Sequence, residues 1–149
     1  MATLAHTGFT VRDLARSLAF YRDVLGMEVV FEQEKCGGYL AAIVGYPDAH
    51  VRMAHLRFPG DGHRVELFEY VEPEPQGIAG EPRDVGITHV CLAVDDIDAV
   101  LDRVTSAGAR MFSPPVLVDT GANAGGRGVY VRDPDGIILE LFQPRREDP

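Results

Sequence analysis

The stretch HTGFTVRDLARSL, His6 to Leu18, returns in outline further along the chain as HVCLAVDDIDAVL, His89 to Leu101. At a constant offset, 89 − 6 = 83, four residues recur in place: His6/His89, Val11/Val94, Asp13/Asp96 and Leu18/Leu101. Self-similarity at a fixed spacing marks a duplicated unit, and missing it would miscast the whole fold. Both copies open on an alternating strand, follow it with an Asp able to cap a helix, and continue with apolar residues at helical spacing. Leu14, Leu18, Tyr21 and Leu25 make the first stripe, which Gly26 stops. Ile97, Val100, Leu101 and Val104 make the second, which Gly108 stops.

Working outward, each copy turns to strands. The first offers MEVVFEQ from Met27, HVRMAHLRF from His50 and RVELFEY from Arg64, with YLAAIVG from Tyr39 as an inserted short helix ended by Gly45 and Pro47. The second offers ARMF from Ala109, a glycine-rich loop from Asp119, VYVRD from Val129 and IILELFQ from Ile137. The last two are joined by the tight-turn signature DPDG, Asp133 to Gly136. EPEPQGIAGEPRD from Glu72, rich in Pro, Gly and charge, separates the copies. The expected fold is α+β, two βαβββ modules forming a curved mixed sheet around one central cleft. The boundaries are module one about 1–73, linker about 74–85 and module two about 86–145, within a single domain 1–149.

Length and charge narrow the function classes. A chain of 149 residues suits one domain with a sizeable core. Its formal charge of −9 opposes a nucleic-acid surface, which needs a basic field. No apolar run approaches the roughly 18–20 residues of a membrane span, and no signal segment opens the chain. Two cysteines, Cys36 and Cys91, make no disulfide scaffold. A reduced, cytoplasmic protein with a small-molecule substrate is the expectation, with no nucleic acid and no membrane as partners.

The chemistry lies in the strands that close each module. RVELFEY (Arg64–Tyr70) and ILELFQP (Ile138–Pro144) both set a Glu among apolar neighbours. A carboxylate sheltered from water needs a cation or hydrogen bonds. Each module thus begins on a strand with His and ends on one with Glu: His6 and Glu66, His89 and Glu140. Side-chain alternation puts His6 with Gly8 and Thr10, Glu66 with Phe68 and Tyr70, His89 with Cys91 and Ala93, and Glu140 with Ile138 and Phe142. Two neutral imidazoles and two carboxylates balance one divalent cation. That mixed donor set suits Ni, Co, Zn, Fe or Mn and leaves positions open for water or substrate.

The paired βαβββ units, the opening H-T-x-F-x-V-x-D-L…F-Y…L-G-M-E and the close D-P-D-G-x-x-x-E-L resemble the vicinal oxygen chelate superfamily. That superfamily contains glyoxalase I, methylmalonyl-CoA epimerase, extradiol dioxygenases and the fosfomycin and bleomycin resistance proteins. The resemblance covers nearly the whole chain and is far more specific for fold than for reaction. It implies His6, Glu66, His89 and Glu140 as the four metal ligands, with Glu140 as first candidate for the catalytic base and Glu66 as second. It also implies a homodimer, since family members often pair and some build the metal site across subunits. Methylmalonyl-CoA epimerase typically has Gln where this chain has Glu66. Glyoxalase I commonly has an Arg and an Asn, which help hold glutathione, where this chain has Thr10 and Tyr70.

The leading expectation is a divalent-metal lyase or isomerase/epimerase working through an enolate on a small oxygenated metabolite. One alternative is an Fe(II) extradiol dioxygenase using His6, His89 and Glu140; another is a non-catalytic ligand-binding or antibiotic-resistance protein. Tyr70, Phe68, Phe142 and Tyr130 are candidate pocket linings, as is Cys91. Arg127, among Gly125, Gly126 and Gly128, is a candidate anion holder. The glycine-rich loop lacks nucleotide-binding spacing. His50, His55 and His63 are read as solvated or packing residues.

Overall fold

Thr7, Phe9 and Val11 alternate with His6, Gly8 and Thr10, so β1 (His6–Val11) has two unlike faces. The computed structural model of the chain describes residues 1–77 and 80–146. Two compact units appear, Met1–Ile78 and Ala79–Pro149.

In the first unit β1 is followed by α1 (Leu14–Leu18), which continues as a π-helical turn over Ala19–Val24. Then come β2 (Glu28–Cys36), α2 (Gly38–Val44), β3 (His50–Arg57) and β4 (Arg64–Glu72), in the sheet order β1-β4-β3-β2. β1 runs parallel to β4; the other pairs are antiparallel. Asp13 caps α1 by accepting from the Arg16 N–H at 3.0 Å, as its position predicts. A second orphan donor, the Leu14 N–H, is taken by Glu69 Oε2 at 3.1 Å from the neighbouring strand. Gly26, at φ +84°, stops the helix. Val11, Leu14, Leu18, Tyr21, Leu56 and Leu67 are buried where helix meets sheet, each such side chain being worth roughly 1.5–3 kcal/mol on burial. α2 lies on the other face, where Leu40 and Ala41 pack on Val51, Met53 and Phe68, with Val44 and Tyr70 alongside.

The second unit repeats the plan. β5 (His89–Ala93) and α3 (Ile97–Ser106) precede β6 (Arg110–Met111), β7 (Val116–Leu117), β8 (Arg127–Arg132) and β9 (Ile138–Gln143). The sheet order is β5-β9-β8-β6, with β7 also on β8 and β5 parallel to β9. Asp96 accepts from the Ala99 N–H at 3.0 Å, and Gln143 Oε1 accepts from the Ile97 N–H at 2.9 Å. The motif ELF followed by Glu or Gln therefore performs the same two tasks in each unit. Its first residue faces the site, and its last, three residues on and on the opposite face, ties down a helix start. Ile97, Leu101 and Val104 are buried, as are Val129, Val131, Leu139 and Leu141.

Hydrogen bonding runs in two mixed sheets, four- and five-stranded, so the α+β class and the duplicated plan hold. The strand expected over Ala109–Phe112 is only Arg110–Met111, and β7 is an addition. β8 starts at Arg127 rather than Val129 because Arg127 and Gly128 already pair with Gln143 and Phe142. In the DPDG turn, buried Asp133 accepts from the N–H groups of Asp135 and Ile137, each at 2.8 Å, and Gly136 sits at φ +93°. Among the described residues no helix is long and apolar enough to cross a membrane.

Candidate active site

The parallel pairing that closes each unit positions its acid. β1 against β4 sets Gly8 opposite Glu66, and β5 against β9 sets Cys91 opposite Glu140. His6 and His89 lie two residues earlier on the same faces. The outcome is the same in both units: His6 Nε2 is 3.5 Å from Glu66 Oε2, and His89 Nε2 is 3.3 Å from Glu140 Oε2. The carboxylates are 18% and 26% exposed and the imidazole side chains 43% and 42%, so the acids are the more sheltered partners. A methyl group built on Gly8 would stand 3.4 Å from Glu66 Oε2, an ordinary van der Waals contact.

The strands flanking the acids supply different partners. His55 on β3 lies directly across from Glu66, and its Nε2 is 3.0 Å from Glu66 Oε1. Its ring stacks on Phe31 at 4.4 Å and meets the His6 ring edge-on at 5.2 Å. Of the two roles expected for His55, solvated or packing, the structure shows the packed one, with the ring buried next to Glu66. His63 and His50 lie apart from it, the former 2.9 Å from Thr7 Oγ1, the latter 2.6 Å from Glu34. In the second unit Tyr130 on β8 occupies the place across from Glu140, yet its hydroxyl reaches His89 Nε2 at 3.1 Å.

Cys91 is not poised as a nucleophile. Burial, then the charge of Glu140 and a hydrogen bond to it, push its thiol up to about 11. Burial likewise raises the Tyr70 and Tyr130 hydroxyls, with neighbouring acidic groups adding to it, so both remain hydrogen-bond donors. Phe68 and Tyr70 line a cleft of about 220 Å³ that includes Thr10, Val44 and Glu66. Tyr130 and Glu140 line another of about 330 Å³ with Phe112, Ser113 and Gly128. Phe142 lies under the glycine-rich loop; a methyl group on Gly126 would come within 2.7 Å of its ring. Arg127 lies on the helix side of its sheet, where it pairs through both terminal nitrogens with Asp98 of α3, so its charge is engaged away from Glu140.

Among the described residues no group of three or more His, Cys, Asp or Glu side chains is placed to hold a metal ion. Each unit sets one strand-opening imidazole beside one carboxylate, His6 by Glu66 and His89 by Glu140.

The model of the glyoxalase/bleomycin resistance protein/dioxygenase superfamily matches residues 3–141. The chain belongs to that superfamily. Within it, a 2-epi-5-epi-valiolone epimerase from an Actinomyces species is 31% identical over 141 residues, covering 92% of this chain and 76% of that protein. An ethylmalonyl-CoA/methylmalonyl-CoA epimerase from Cereibacter sphaeroides is 31% identical over 144 residues, covering 94% and 96%. A probable lactoylglutathione lyase from Vibrio cholerae is 29% identical over 145 residues, covering 96% and 91%. A glyoxalase family protein from Bacillus cereus shares the superfamily fold at a TM-score of 0.84 and 22% identity, covering 98% of this chain and 96% of its own.

Proposed function

We propose that this superfamily member is a divalent-metal-dependent epimerase or lyase that moves a proton at a carbon next to a carbonyl. His6, Glu66, His89 and Glu140 are its metal ligands. The observation that carries this reading is the duplicated His–Glu pair, built at the same strand register in both units. Its relatives with epimerase and lyase names support the same class. A bound divalent ion supplies a Lewis acid that polarises a chelated carbonyl and favours the enolate. The chain's own residues do the rest. Glu140 takes the proton, Glu66 being the second candidate. Tyr70 and Tyr130, held protonated, donate to substrate oxygens. Cys91, held as a thiol, steadies Glu140 rather than attacking.

Thr10 and Tyr70 stand where glyoxalase I commonly carries the Arg and Asn that grip glutathione. Among the described residues neither cleft is lined by a lysine or arginine. Both facts favour epimerisation of a small hydroxylated carbonyl compound over a glutathione adduct. The test is deuterium uptake from heavy water into 2-epi-5-epi-valiolone, methylmalonyl-CoA and lactoylglutathione, with Ni²⁺ or Co²⁺ added. Exchange into one of them, lost by roughly 10²–10⁴-fold in Glu140→Gln with substrate binding retained, is the expected result. Full activity of that variant rejects the base assignment. Oxygen consumption with catechol after anaerobic Fe²⁺ loading would replace the reading with ring cleavage.

A further inference from the structure

The two acids of the duplicated motif sit in different surroundings, and the difference centres on a residue that the metal reading does not use. His55 is only 8% exposed, and its Nδ1 is buried without a hydrogen-bond partner. Its Nε2 faces Glu66 Oε1 at 3.0 Å, while the other oxygen of the same carboxylate, Oε2, faces His6 Nε2 at 3.5 Å. A bare imidazole nitrogen set against a carboxylate would place lone pairs face to face, and the proton on Nδ1 would then be a buried donor with no acceptor. With the proton on Nε2, the ring donates to Glu66, and what remains unpaired is an acceptor lone pair. Stacking on Phe31 at 4.4 Å and edge contact with His6 at 5.2 Å fix the plane of the ring. The corresponding place in the second unit is Tyr130, which addresses His89, and Glu140 has the Cys91 thiol as its partner instead of an imidazole across the strand.

We infer that His55 is the positioning residue of Glu66: its Nε2–H holds Oε1 and thereby turns Oε2 toward His6, so that Glu66 stays in place. This rests on the reading of Glu66 as a metal ligand. Ligating carboxylates are commonly fixed by an outer hydrogen bond, and loss of one typically weakens metal affinity about 10–100-fold. His55 touches Glu66, so it acts through its neighbour.

Two measurements test it. Nitrogen-15 spectra of the metal-free wild-type protein should show His55 with its proton on Nε2; a proton on Nδ1 with a bare Nε2 overturns the inference. Competition with a chelator for Ni²⁺ or Co²⁺ should show affinity falling about 10–100-fold in His55→Phe, which keeps a ring for Phe31 to stack on. His55→Gln, which retains an N–H donor, should recover much of that loss. Equal affinity in wild type and His55→Phe, or no recovery in a folded His55→Gln, overturns it as well. Melting curves distinguish a lost clamp from a lost fold, since a His55→Phe variant that still unfolds cooperatively has lost only the hydrogen bond to Glu66. A wild-type chain that takes up no metal would sink the four-ligand reading and with it this role for His55, whereas uptake with unchanged affinity in His55→Phe would sink only the latter.

Discussion

Residues on the site-facing side of each sheet differ in what they can do, and their surroundings make the difference. Cys91 looks accessible yet sits beside Glu140 with its thiol pushed up to about 11, chiefly by burial. In metal-free protein at pH 8 about one such thiol in a thousand is ionised, and the thiolate is the reactive form. Iodoacetamide should therefore label Cys91 slowly, with a rate climbing about tenfold per pH unit between 8 and 10. Glu140→Gln should speed labelling by removing the charge that opposes the thiolate. A rate that is fast and flat over that range would contradict the described environment. The identity of the acids is plain in ELFEY and ELFQP, because an acid between apolar neighbours on a strand demands an explanation. His55 was harder to read. Its pairing with Glu66 depends on the hairpin turning between Gly60 and Asp61, and alternation along one strand does not give the register across two.

At the scale of the element, the helices are fastened at their starts from two directions. Asp13 and Asp96 act locally, and Asp96→Ala should cost about 0.5–2 kcal/mol in chemical denaturation. The longer-range fastening is the acceptance of the Leu14 N–H by Glu69 and of the Ile97 N–H by Gln143. Glu69→Gln should be tolerated, whereas Glu69→Leu should destabilise by about 1–3 kcal/mol, because it orphans a sheltered donor. Equal stability of those two variants would remove the fastening role. α3 is also joined to β8 by the Asp98–Arg127 pair, whose hydrogen bond holds the Asp98 carboxyl below the usual carboxylate range. A carboxyl depressed by folding contributes stability above its unfolded value and loses it as pH falls through the folded one. The melting-temperature difference between wild type and Asp98→Asn should accordingly be present at neutral pH, small because the pair is exposed, and vanish in acid. The Asp caps and glycine stops were legible because capping is written in adjacent residues. The commitment of Arg127 to Asp98 was not, since those residues are 29 apart in the chain and meet only once α3 lies on its sheet.

For the molecule as a whole, the duplication makes a cooperative prediction. If each unit provides half of a four-ligand set, Ni²⁺ or Co²⁺ at a hundred times its dissociation constant should add about 2.7 kcal/mol of stability. His6→Ala and His89→Ala should each erase most of that gain. A variant that lost one imidazole and kept the full shift would show that its unit takes no part. The amino-acid sequence by itself determined the repeat, its strands and helices, and the return of His and Glu in each copy, because periodicity, capping and turn chemistry act over a few residues. Only the tertiary structure decided that Glu66 meets a second imidazole, His55, where Glu140 has Tyr130 across the strand, and that an arginine among glycines answers a helix instead of a ligand. Those pairings join residues far apart in the chain, and their register is set by how strands and helices bury their apolar sides against one another.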